Sequence, residues 1–138
     1  TRYLGNALVA ITALVVVIGT IVTGAGPHAG DSRTARLDLD PRLISWLHAD
    51  VVLLFIGLLI GMLALLYVDD PGGPARRRAW WVAAFALMQA GIGYVQYFTG
   101  LPWVLVTLHL LGACLVWVAV LRLRLSLTRR EVPVADPR

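Results

Sequence analysis

The chain has 138 residues, of which 59% are hydrophobic and only 14% charged, and its mean hydropathy is +0.78. A water-soluble domain carries about a quarter of its residues as charges, so this composition excludes an ordinary soluble protein and points to a lipid bilayer. All the basic residues are arginines, and they gather in connecting segments and the tail. No basic face interleaved with aromatics exists, which leaves no nucleic-acid partner to expect. Cys114 is alone in an apolar run, so neither an internal disulfide nor a CxxC metal site is possible.

Crossing the hydrocarbon takes about 20 mostly apolar residues. The first such stretch is residues 4–22. It is too long for a signal-peptide core and ends in no small-residue cleavage site. The abrupt start at Thr1, without Met, reads as a piece of a longer chain. Residues 25–41 form a long polar connection whose glycines and proline imply tight turns with exposed backbone. The second span is residues 43–68, opened by Pro41, since proline suits a first helical turn. After the segment 69–78 comes the third span, residues 79–98. The short turn Thr99-Gly100-Leu101-Pro102 leads into the fourth, residues 103–121. The expected architecture is therefore all-α: one four-helix transmembrane domain, residues 1–127, built from two repeated helical hairpins. Residues 128–138 form a polar tail expected to be disordered.

Charge sets the expected orientation. Both termini and the segment 69–78 lie on one side, with Arg2, Arg76, Arg77, Arg78, Arg122, Arg124, Arg129, Arg130 and Arg138. The opposite side carries Arg33, Arg36 and Arg42, offset by Asp31, Asp38 and Asp40. Nine arginines against three place the termini and tail in the cytoplasm and the glycine-rich segment outside, in a multi-pass plasma-membrane protein. Trp80 and Trp81 on the inner side, and Trp46, Trp103, Tyr97 and Phe98 on the outer, fit interfacial belts.

The two hairpins share a pattern. Thr23-Gly24 and Thr99-Gly100 end the two outward crossings, and Pro41 and Pro102 open the two returns. His48 and His109 each follow seven residues after their proline. At 1.5 Å rise per residue, both imidazoles sit about 10 Å below the start of their helices. Two parallel return helices related by an axis along the membrane normal can bring these histidines to one central metal from opposite sides.

A histidine pair leaves zinc two ligands short, whereas heme brings four nitrogens and needs only axial ligands. Gly112 and Ala113, one turn below His109, are expected to leave room for the macrocycle, and Val51, Val52 and Phe55 to form an apolar wall below His48. Bundle interiors are a usual place for such a cofactor. The bland alternative is that each histidine only hydrogen-bonds a neighbouring helix. Arg42, with Arg33 and Arg36, is a candidate for the heme propionates, because the guanidinium fork matches a carboxylate. The alternative for each is a solvated surface charge, which is also the expected state of His28.

Asp50, about 13 Å along its helix, is costly in lipid unless paired or protonated. It lies about 200° around the helix from His48 and cannot face the same ligand. It shares a face with the GxxxG of Gly57 and Gly61, so that face is expected to meet another helix or subunit. Gln89 is the expected hydrogen-bond partner of Asp50, with a proton relay through Asp50 as the sharper reading. Gln96 is placed to reach the heme edge or to satisfy a helix end.

Four motifs in order resemble the heme A synthase family: TGAGPHAGD at 23–31, Leu47-His48-Ala49-Asp50, GYVQYFTG at 93–100, and LHLLGA at 108–113. The resemblance covers most of the chain. Members of that family have eight membrane helices in two similar four-helix halves and oxidise the C8 methyl of heme O to the formyl group of heme A. The histidine pair of each half lies on its second and fourth helices, which His48 and His109 match. The N-terminal half has a glutamate three residues before its first histidine; here Ser45 stands there, and Glu131 is the chain's one glutamate. The resemblance is thus to the C-terminal half and implies a heme b, its iron held by His48 and His109, that passes electrons. It implies an oxidoreductase but no catalytic residue here, and it implies an N-terminal half, on this chain or another, as partner. Competing readings are a free-standing membrane cytochrome b-type electron carrier and a membrane scaffold or assembly protein whose histidines are packing residues. Electron transfer across a membrane usually wants a heme near each face, and no histidine lies near the inner side. A homodimer of half-size heme A synthase is a further alternative, against which Ser45 speaks.

Overall fold

The computed structural model describes residues 1–26, 35–69 and 73–128. They form four α-helices: α1 (Arg2–Ala25), α2 (Pro41–Asp69), α3 (Pro74–Phe98) and α4 (Trp103–Ser126). All four exceed the spans expected from hydropathy. The surplus consists of polar turns, such as Arg76, Arg77 and Arg78 in α3 and Arg122 and Arg124 in α4. A hydropathy pattern marks where lipid lies, whereas a helix continues until its backbone is stopped.

The stops have local causes. Pro41 is the first residue of α2, and the Asp40 carboxylate accepts from the backbone N–H groups of Arg42 (2.8 Å) and Leu43 (3.4 Å). That satisfies two of the donors every helix start leaves open. At the turn between α3 and α4, Gly100 and Leu101 both adopt left-handed backbone, at φ 76° and 58°. Glycine does so freely, but leucine does not. Pro102 then caps α4.

The helices form a ring in which each packs on its two sequence neighbours and α4 closes on α1. Packing is most extensive within the hairpins α1–α2 and α3–α4. The diagonal helices α2 and α4 do not pack on each other. The buried core, which includes Leu8, Leu59, Met62, Leu66, Ala79, Val82, Val120 and Leu123, lies in the half of the bundle near the N-terminus and the α2–α3 connection. Small residues at Ala75 and Ala79 let α3 approach closely there. Large apolar side chains such as Leu53, Ile60, Leu87 and Leu125 point outward, each more than 60% exposed. A surface this apolar suits lipid rather than water.

Helices α1, α2 and α4 are long and apolar enough to cross a membrane. Helix α3 is as long but less apolar, with Arg76, Arg77 and Arg78 in its first turns, Trp80, Trp81, Tyr94 and Tyr97 on its exposed surface, and two glutamines. The glutamines turn inward, Gln89 buried and Gln96 half-buried.

Ala79 is fully buried. Ala79→Leu should therefore lower stability by about 1–3 kcal/mol through overpacking, seen as a lower melting temperature in detergent. Leu87→Ala, on the exposed surface, should leave it within about 0.5 kcal/mol. Equal melting of both variants and the parent would contradict a core at this end.

Candidate functional site

Above the core the helices part around a cavity of about 530 Å³, within the range of roughly 300–1,000 Å³ usual for small-molecule sites. His48 on α2 and His109 on α4 both line it, from diagonal helices. Both rings are half-buried. Most of the remaining lining is apolar, including Val15, Val52, Phe55, Ile56, Ala113 and Val116.

Each histidine is seated by a glycine of its hairpin partner. A Cβ added at Gly19 of α1 would lie 3.2 Å from Cε1 of His48, and one at Gly93 of α3 would lie 3.3 Å from Cε1 of His109. Any side chain there would press on the imidazole, so the bare backbone lets each ring lie against the facing helix. Nδ1 of both rings is enclosed and unbonded. With Nδ1 enclosed, Nε2 is the nitrogen each ring can present to the cavity.

The other buried polar atoms without partners belong to the same place: both amide atoms of Gln89 and Oε1 of Gln96. An unpaired buried polar group costs about 1–3 kcal/mol. Several of them gather around this one cavity, which makes it the candidate site.

The other expected site residues fall out as follows. Ala113 lines the cavity, but Gly112 does not. Gly112 is buried beneath the Gln89 amide, which fills the space where a side chain would stand. The room it leaves is taken by α3. Gln89 is thus wedged between α3 and α4 and makes no hydrogen bond to Asp50, which is exposed on α2. Asp50 does not line the cavity, in keeping with its angle from His48, and neither does Val51. Among the described residues nothing would lie within 4 Å of a Cβ at Gly57, whereas one at Gly61 would lie 3.9 Å from the Leu4 side chain of α1. Arg42 is exposed and stacks on the Trp46 ring, 5.0 Å from its centroid; Trp46 lines the cavity rim, so Arg42 sits beside the mouth. Arg36 donates to the Gly26 carbonyl. The Ser45 hydroxyl lines the cavity but donates to the Pro41 carbonyl at 2.6 Å. His28, Arg33 and the tail lie outside the described residues. Among those described, no group of three or more His, Cys, Asp or Glu could hold a bare metal ion.

The histidine seats went unread in the sequence. The available signal was a glycine in each outward helix, Gly19 and Gly93, a few residues before the Thr-Gly that ends it.

Fold and site together define an all-α, four-helix protein with helices able to cross a membrane and a cavity flanked by two histidines. No family model, curated protein or solved structure matches the chain.

The glycines make a prediction. Gly112→Leu should force the Gln89 amide out of its seat and lower stability by about 1–3 kcal/mol. Gly57→Leu, which enters open space, should leave the melting temperature of the isolated protein unchanged. Equal melting of the two variants would refute the Gln89 wedge.

Proposed function

We propose that the chain is a membrane heme-binding domain in which His48 and His109 ligate one noncovalently held heme, of the b class, from opposite sides. The observation that carries this reading is two imidazoles on diagonal helices, each seated on a glycine and lining one cavity with Nδ1 enclosed. Two nitrogens satisfy a heme, whose macrocycle supplies the other four, but leave a bare ion under-coordinated. The mostly apolar walls suit a porphyrin face, and Arg42 beside the mouth is placed to meet a propionate.

A bound heme would supply one-electron iron chemistry. The chain's own residues do the rest. Gly19 and Gly93 seat the two rings, Val52, Phe55 and Val116 line the cavity with apolar surface that would exclude water from a bound heme, and the core below holds α2 and α4 at a set separation. Ser45 carries no acid–base function, being turned to its own helix. The assignment is thus to a cofactor domain, not to the residues that would oxidise a substrate.

We further propose that α3 is a fourth span, that the termini are cytoplasmic, and that the site lies near the outer face of a bacterial plasma membrane. Support comes from the inward glutamines of α3 and the nine-to-three arginine distribution. The motif resemblance makes the domain the C-terminal half of a heme A synthase, working beside an N-terminal half that holds the substrate heme.

Protein purified from heme-replete cells should show the sharp visible bands of a low-spin heme with two histidine ligands. His48→Ala and His109→Ala should each abolish those bands, and unchanged spectra in both would sink the assignment. A reporter fused after Arg138 should read cytoplasmic; a periplasmic signal would reverse the topology.

A further inference from the structure

The wall of the cavity is not equally thick all round. Its lining from α1 and α4 is mainly tucked in: Thr12 is 2% exposed, Val15, Val22, His109, Ala113 and Val116 are half-buried, and Val16 alone is exposed, at 36%. The lining from α2 and α3 is different. Trp46 and Leu53 on α2, and Tyr94 and Phe98 on α3, border the cavity and are 55%, 64%, 68% and 67% exposed, more than any other large side chain of the lining. Ala49 and Ala90, between these larger side chains, are also exposed. A residue that faces both the cavity and the outside stands at an opening.

Helix geometry agrees. On α2, Ala49, Leu53 and Trp46 lie about 100–160° round from His48, on one flank. On α3, Ala90, Tyr94 and Phe98 lie about 60–140° round from Gly93, also on one flank. The residues that bury α2 against α3, Leu59, Met62 and Leu66 with Ala75, Ala79 and Val82, all belong to the core at the other end. The seam is closed at the inner end and parted in the outer half. The end of the cavity is covered instead: Val22 and Leu101 line it there and are half-buried, and Leu37 packs over Gly24.

We infer that the parted α2–α3 seam is a lateral portal through which the cavity takes its ligand from the outer leaflet. The ligand class is a flat amphiphile dissolved in the membrane, its carboxylates at headgroup depth and its ring among the acyl chains. This inference rests on the heme reading and adds the route. The rim suits that depth, because Trp46, Tyr94 and Phe98 are aromatic side chains of the kind that sit at the interface. Arg42, stacked on Trp46 at the upper corner, is placed to meet the carboxylates as the ring slides edge-on between Ala49 and Ala90. A small side chain on each lip leaves that gap open.

The test uses the full chain, freed of heme and reconstituted in vesicles, mixed with vesicles loaded with hemin. Uptake is followed by growth of the visible bands. Ala49→Trp and Ala90→Trp should each slow uptake about tenfold or more, with the final spectrum reaching that of the parent. Leu111→Trp, on the exposed face of α4 away from the seam, should load at the parental rate. Parental uptake rates in both alanine variants, or equal slowing in Leu111→Trp, would overturn the portal. A lower final heme content at an unchanged initial rate would also overturn it, by making these positions part of the seat and not the route. No bands in the parent itself would instead defeat the heme reading, a result distinguishable from failure of the portal alone.

Discussion

An imidazole can pack closely on the backbone of a neighbouring helix only where that helix presents no side chain. This constraint is met twice, by Gly19 under His48 and Gly93 under His109, and the rest of the site depends on it. Remove either glycine's bare surface and the ring must swing or the hairpin must open, because a Cβ would come within 3.3 Å of Cε1. The glycines lie on α1 and α3, and the histidines on α2 and α4. Each hairpin therefore supplies a glycine seat and a histidine, and closing the ring of four helices brings the two histidines to one cavity.

The closed and open ends of the bundle divide the labour. Leu66, Met62, Val82 and Leu123 fill the end near the N-terminus and the α2–α3 connection with side chains almost wholly buried, which fixes the spacing of α2 and α4, helices that do not pack on each other. Packing density in such a core transmits position rather than absorbing it. The outer half, relieved of packing, can afford a cavity with unpaired histidine and glutamine atoms along its walls.

Much of this was legible in the sequence, for identifiable reasons. Four helices followed from apolar runs broken by Pro41, by Arg76 to Arg78 and by the Thr99 to Pro102 turn, since lipid selects strongly for continuous apolar helix. The pairing of His48 with His109 followed from their equal spacing behind Pro41 and Pro102. What could not be read was the partner of each inward side chain, because that depends on the rotation of one helix against the next. Gln89 was expected to meet Asp50 on α2; it wedges instead over Gly112 on α4, so a small residue assigned to the ligand proves to serve helix packing. Arg42 was placed at the right end, and its stacking on Trp46 fixes it beside the mouth rather than in the cavity. Asp50 keeps the outward direction that its angle from His48 demanded, and within the chain it has no partner in Gln89.

The central claim is that two imidazoles, one from each hairpin, share one iron. Pulsed electron paramagnetic resonance on the ferric protein, grown with ¹⁵N-histidine, reads the number of coordinated imidazoles directly from their nuclear couplings. Coupling to two labelled imidazoles, falling to one or none in His48→Ala and in His109→Ala, is the predicted result. Coupling to a single imidazole in the parent, or none, would contradict the account.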